Sequence, residues 1–156
     1  MRITVLWVGK TRSAFLAEGI EHYARQAGRY GPVETRAVKE SPITARADPR
    51  RILADEGARL LAALPAGAHL VALDPGGQAL DSTGLAAYIG RRRDEGVKEL
   101  AFVIGGPLGL ADAVRKRAHL VLSLSAMTLT HEMARLVLLE QIYRAETILR
   151  GEPYHK

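Results

Sequence analysis

The sequence of 156 residues has no cysteine. Disulfides, cysteine-ligated metal and thiol catalysis are therefore excluded, and a reducing cytoplasm is the expected setting. Aromatic residues make up 5% of the chain, too few for a base-stacking platform of the RNA-recognition-motif kind. No apolar run is long enough for a membrane span: the opening "MRITVLWVGK" regains charge at Lys10 and reads as a first strand, not a signal peptide. Neither GxGxxG nor GxxxxGK[ST] occurs, so a dinucleotide or P-loop site is not expected. The serines Ser123 and Ser125 lie outside any G-x-S-x-G elbow, which disfavours a Ser-His-Asp hydrolase. "HEMAR" (His131–Arg135) begins like a zinc-protease motif, but Arg135 replaces the second histidine and no metal is expected.

What the chain has is the material of one α/β domain, residues 1–156. Hydrophobic residues are 47% and charged residues 25%, and the net charge of +5 points mildly to a polyanionic partner. Apolar runs alternate with helical patterns. Strands are expected at Ile3–Val8, Val33–Val38, His69–Asp74 (closed by "DPGG"), Ala101–Ile104 and His119–Ser125. The first helix follows Ser13, with Phe15, Leu16, Ile20, Tyr23, Ala24 and Ala27 as its apolar face. A polar loop, Lys39–Arg50, precedes a helix capped by Asp48-Pro49, with Ile52, Leu53, Leu60 and Leu61 inward. Further helices are expected after Asp81 or Ser82, at Ala111–Ala118 and at Thr130–Leu149.

This order implies a mostly parallel sheet with helices on both faces, where ligands bind beyond the carboxyl ends of the strands. The segments "LDPGG", "IGGPLG" and "SLSAMTLTH" make one site only if their strands are neighbours. The last helix carries Met133, Leu136, Val137, Leu138, Leu139, Ile142 and Tyr143, more apolar surface than one stripe requires. A symmetric homodimer is one use for the excess, and burial on both sides within one protomer is the other.

The segments "VIGGPLGL", "SLSAMTLTHEMARLVLLEQIYRA" and "GEPYHK" together closely resemble the bacterial ribosomal RNA large subunit methyltransferase H family. Its members are S-adenosylmethionine-dependent SPOUT enzymes that methylate N3 of a pseudouridine in large-subunit ribosomal RNA. The resemblance runs end to end, with Thr130 standing where the family usually places proline; a threonine there can act as N-cap. It implies a SPOUT fold with a deep C-terminal trefoil knot, a homodimer, no membrane, and ribosomal RNA or the assembled ribosome as partner. It also implies cofactor contacts from Leu73, Gly105 and the run Leu124, Ser125, Ala126, Met127, Thr128 and Leu129. An apolar slot with exposed backbone groups suits adenine and needs no phosphate loop. Gly105 is expected where a side chain would meet the ligand.

For the imide proton of N3, His131, Arg144, Tyr154 and His155 are the candidates, with Tyr154 and His155 similar to the family's terminal Tyr-His. In a dimer that tail can reach the partner's pocket. The competing readings are a non-catalytic basic RNA- or ribosome-binding α/β module and, with less support, an α/β nucleotide hydrolase.

Overall fold

Alternate residues of the first strand feed two different cores. In β1 (Arg2–Val8), Ile3, Val5 and Trp7 face one side of the sheet while Leu6 and Val8 face the other. Burial on both faces is what a central parallel strand requires. The computed structural model describes all 156 residues and places ten elements in the order β1, α1 (Ala14–Gly28), β2 (Val33–Val38), α2 (Pro49–Ala63), β3 (His69–Ala79), α3 (Ser82–Asp94), β4 (Glu99–Ile104), α4 (Asp112–Arg117), β5 (Leu120–Ser123) and α5 (His131–Leu149). The five strands are all parallel, in the order β2-β1-β4-β3-β5. Helices α1, α3 and α5 cover one face, and α2 and α4 the other. No helix is long and apolar enough to cross a membrane.

Capping follows the sequence chemistry. Asp48 accepts from the Arg50 N–H ahead of Pro49, Asp81 from the Gly84 N–H, and Thr130 Oγ1 from the Met133 N–H at 3.2 Å. Thr130 thus supplies a side-chain cap where proline would have offered only a preset φ. Ser13 makes no side-chain cap; the Glu132 carboxylate of α5 accepts instead from the Arg12 and Ser13 N–H groups at 2.8 and 3.1 Å. The last helix therefore closes the start of the first.

Three expectations need correction. Phe15 is 69% exposed, because the buried stripe of α1 is Leu16, Ile20 and Ala27 and Phe15 lies about 100° round from it. In α2, Ile52 and Leu60 are buried but Leu53 and Leu61 only partly so. "DPGG" does not end β3 either. Asp74 Oδ1 accepts from the Gly76 N–H at 2.9 Å, making a tight bulge, and pairing with β5 then resumes: Leu73 and Gln78 both sit opposite Leu122. Gly77 is needed there, since a Cβ would lie 2.6 Å from the Val121 carbonyl oxygen. β5 is correspondingly short, ending at Ser123.

Helix α5 buries Leu138, Leu139, Ile142 and Ala145 between the sheet, α1 and α3, whereas Met133, Leu136, Val137 and Tyr143 are only half-buried. The segment joining β5 to α5 leaves the sheet at one edge and arrives at β1, where the fully buried Arg135 donates to the Val8 carbonyl (2.7 Å) and Thr11 Oγ1 (2.8 Å). It therefore passes across the carboxyl ends of β3 and β4.

At the opposite end of the sheet, His69 stacks on His119 with centroids 4.1 Å apart. Its Nε2 meets the Tyr88 hydroxyl at 2.6 Å, and His119 Nδ1 accepts from the Leu70 N–H. Burial, then the positive charge of His119, Arg92 and Arg117, holds the His69 pKa below the ordinary histidine value, with Glu95 opposing. Burial acts on His131 in the same direction, aided by Arg135. A histidine whose folded pKa lies below its unfolded one binds more protons unfolded. Its contribution is complete above the unfolded pKa near ~6.5 and is lost as pH falls below it. Urea midpoints should therefore drop between about pH 7.5 and about pH 5.5. His69→Gln should flatten that slope, and an equal slope in the variant would exclude His69 as its source.

Candidate cofactor and active site

Because β4, β3 and β5 are neighbours, the three loops beyond their carboxyl ends converge on one pocket of about 220 Å³. Of the residues named by resemblance, Leu73, Gly105, Leu124, Ser125, Met127, Thr128 and Leu129 line it. Ala126 does not; it is exposed on the outer side of the loop. The loop is shaped by its own serines, with Ser123 Oγ donating to the Ser125 carbonyl and Ser125 Oγ accepting from the Met127 N–H at 3.0 Å. Met127, 78% exposed, stands at the mouth with nothing packed over it.

Gly105 lines the pocket, and the turn itself also requires a glycine there. A Cβ there would fall on the carbonyl of Gly109, well inside contact distance, with Leu110 N at 3.0 Å. The Gly105–Gly109 turn, closed by the Gly109 N–H donating to the Gly106 carbonyl and by φ +85° at Gly109, leaves no room for a side chain. The obstruction is the protein's own backbone.

Asp74, read from sequence as a strand end within the candidate segment "LDPGG" but not singled out, is the one ionisable side chain lining the pocket. Arg115 of α4 holds it, donating to Asp74 Oδ2 at 3.0 Å and to the Leu110 carbonyl at 2.8 Å, so one guanidinium ties two of the three loops. A carboxylate at the end of a strand, just before Pro-Gly-Gly, was the available signal. The pocket offers apolar walls, backbone groups and one anion, with no lysine or arginine lining it. It suits an apolar ring carrying a cation and does not suit a phosphate.

A second groove, about 270 Å³, shares Leu122, Ser123 and Leu124 with the pocket and continues along α5 past Val137 and Gln141 to the start of α3. Along this part of α5, Glu140 and Gln141 build a hydrogen-bond network. Ser82 Oγ donates to Gln141 Oε1 (2.6 Å), Gln141 Nε2 to Glu140 Oε2 (2.7 Å), and Arg144 Nε and Nη2 to Glu140 Oε1 (3.1 and 2.5 Å). Tyr154 Oη also donates to Glu140 Oε1, at 3.0 Å, while its ring packs on Tyr143 and under the Arg144 guanidinium. His155 Nδ1 lies 3.4 Å from Arg144 Nη1. The tail is thus folded onto its own helix, fixed further by Tyr30 Oη donating to Glu152.

The electrostatics sort the candidates. Burial, then hydrogen bonding to Tyr23 and Glu140, pushes the Tyr154 pKa well above the ordinary phenol value, making it a neutral donor and not a base. The hydrogen bond to Glu140 raises Arg144 and keeps it a permanent cation. Arg144, Tyr154 and His155 therefore belong together. His131 does not join them: it begins α5 near Arg135, Glu132 and Glu40, and it does not line the pocket. Arg135 is lowered to about 10 by burial and stays charged at neutral pH, over the Trp7 ring. A larger cleft of about 690 Å³ runs between α1 and β2, but no strand-end loop except that at Thr11 reaches it.

The comparisons agree with this geometry. A family model described as a predicted SPOUT methyltransferase matches residues 1–155. Proteins named Ribosomal RNA large subunit methyltransferase H are similar throughout. That of Trichlorobacter lovleyi is 48% identical over 155 residues, 99% of each chain, and that of Gemmatimonas aurantiaca 47% identical over 161 residues and the whole of both. Among solved structures, a probable methyltransferase from Bordetella pertussis Tohama I matches with a TM-score of 0.55 at 19% identity, over 92% of this chain and 95% of that one. A probable methylase family protein from Haemophilus influenzae matches with a TM-score of 0.50 at 15% identity, over 99% and 70%. At such identities the structures speak for the fold alone, and the near-half identity of the full-length relatives speaks for more: the chain belongs to the ribosomal RNA large subunit methyltransferase H family of SPOUT methyltransferases.

Proposed function

We propose that the protein is an S-adenosylmethionine-dependent methyltransferase acting on N3 of a pseudouridine in large-subunit ribosomal RNA, in the cytoplasm and on the assembled ribosome. The observation that carries the cofactor is the pocket's charge: apolar walls, one carboxylate at Asp74 and no cationic side chain fit an adenosyl sulfonium and reject a nucleotide phosphate. Its volume is below the roughly 300–1,000 Å³ of ordinary ligand sites. A ligand of this size would extend into the contiguous groove beside Leu124.

When bound, S-adenosylmethionine supplies a methyl group already activated on sulfur. What the chain must do is hold it dry, align the nucleophile and manage one imide proton. Alignment can contribute several kcal/mol, roughly 7 or more in the best cases. The apolar loops exclude water, and the Asp74–Arg115 pair fixes the loops that carry them. Arg144 of α5 is a fixed cation for developing negative charge on the base, and in the tail Tyr154 is a protonated donor and His155 the group able to take the proton.

Arg144 stands ten residues beyond the pocket-lining Ala134, roughly 15 Å along α5 at the helical rise. That separation supports a site shared between protomers, in which the tail of one serves the pocket of the other. The half-buried Leu136, Val137 and Tyr143 supply apolar surface for such a homodimer. The passage of the β5–α5 segment across the ends of β3 and β4 supports a C-terminal trefoil knot.

Isothermal titration with S-adenosylmethionine should give about one site per protomer, whereas a non-catalytic RNA-binding module would give none. Sedimentation at micromolar concentration should show a dimer; monomer alone would end the shared-site mechanism. Equal methylation of a short naked RNA hairpin and of ribosomal particles would overturn the assembled-ribosome substrate.

A further inference from the structure

The end of the sheet remote from the pocket carries its own chemistry. The starts of β4, β3 and β5 lie side by side there, and α3 and α4 end there on opposite faces, each with a basic last turn. Part of that charge is accounted for locally. Cations favour helix carboxyl ends, Arg92 pairs with Glu95 and Arg93 with Glu146, while Arg115 reaches away to Asp74 at the pocket. Arg91, Lys98, Lys116 and Arg117 remain exposed without an acidic partner. Of the acids on these turns, Glu95 serves Arg92 and Glu99 serves Arg2, leaving Asp94 as the one free carboxylate. Between the cations lies the His69–His119 stack, with rings inclined by 21°. Tyr88 and the Leu70 N–H hold the two imidazoles in place, and His119 is exposed.

Free cations around an ordered, exposed ring match the two demands of unpaired RNA, phosphate neutralisation and base stacking. We propose that this edge is a second RNA contact, in which Arg91, Lys98, Lys116 and Arg117 meet the phosphates of a single-stranded segment and His119 stacks on one of its bases. The proposal rests on ribosomal RNA being the substrate. A short chain with a small pocket gains from it a hold on the particle that does not depend on the target nucleotide.

The test uses the full-length protein and two probes, an unstructured oligoribonucleotide and the large ribosomal particle. Binding of both is followed by fluorescence anisotropy over a range of salt. Combining Arg91→Ala, Lys116→Ala and Arg117→Ala should weaken both at least tenfold. It should also make the slope of log K against log salt shallower by about two, since each cation on a single strand is worth ~0.7. His119→Asn keeps an acceptor for the Leu70 N–H while removing the ring. It should weaken binding without changing the slope. S-adenosylmethionine affinity should be unaltered in both variants, and the loss in methyl transfer should fall on KM. Unchanged affinity and slope in the triple variant would overturn the proposal. So would loss of particle binding with oligoribonucleotide binding intact, which would make the patch a protein contact. A wild-type protein that binds no S-adenosylmethionine and methylates no ribosomal particle would instead overturn the methyltransferase reading.

Discussion

Removing Tyr154–Lys156 is expected to cut methyl transfer by ~10²-fold or more, the usual loss for a positioned acid–base group, while leaving cofactor affinity as it was. None of the three residues lines the pocket, so titration with S-adenosylmethionine should be indistinguishable from wild type. Folding should weaken only modestly. The Tyr154 hydroxyl bond to Glu140 and the ring contact with Tyr143 go, but Glu140 and Arg144 keep their own ion pair. His155→Ala should account for part of the loss. Tyr154→Phe separates donor from ring, because it keeps the packing on Tyr143 and removes only the hydroxyl. Full turnover by the truncated protein would move the proton to Arg144's surroundings or to His131.

Gly105→Val should abolish measurable cofactor binding and also lower stability by ~1–3 kcal/mol, the usual range for overpacking. The neighbour that a Cβ would strike is the Gly109 carbonyl, and backbone cannot turn aside as a flexible side chain can. Gly105→Ala should therefore show most of the same effect, which distinguishes a clash within the loop from a clash of the larger side chain with the ligand. Calorimetry with S-adenosylmethionine and urea denaturation, run on both variants, decide between these. A folded variant with unchanged affinity would remove the Gly105–Gly109 turn from the site.

Periodicity was enough for the alternation of strands and helices, because parallel strands buried on both faces and amphipathic helices leave unmistakable runs. Caps at Asp48, Asp81 and Thr130 were legible because capping is local chemistry. What could not be read was whatever depends on residues far apart in the chain. Glu132 looked like half of a metal motif and proves to cap α1 across 120 residues. "DPGG" looked like the end of a strand, because nothing local says that β5 will take up pairing on both sides of the bulge. Asp74 was hidden inside that same turn, and its partner Arg115 lies 41 residues on. Nothing within the tail shows that it is seated, since the tyrosines and the Glu140 carboxylate that hold it belong to other segments. The cofactor loops came from resemblance, and the neighbouring order of β4, β3 and β5 is what lets them meet.

Arg135 also bears on how fast the molecule can form. Its guanidinium finds its partners at Val8 and Thr11, across 127 and 124 residues, and is fully buried once it does. A ribosome making this chain releases β1 long before α5 exists, so the end of the first strand waits with an unclaimed carbonyl until α5 emerges. Contacts of such long sequence separation carry a large closure entropy and retard folding. The buried cation thus ties completion of the core to the arrival of α5, and refolding should be slow, with Trp7 fluorescence reporting the moment α5 docks.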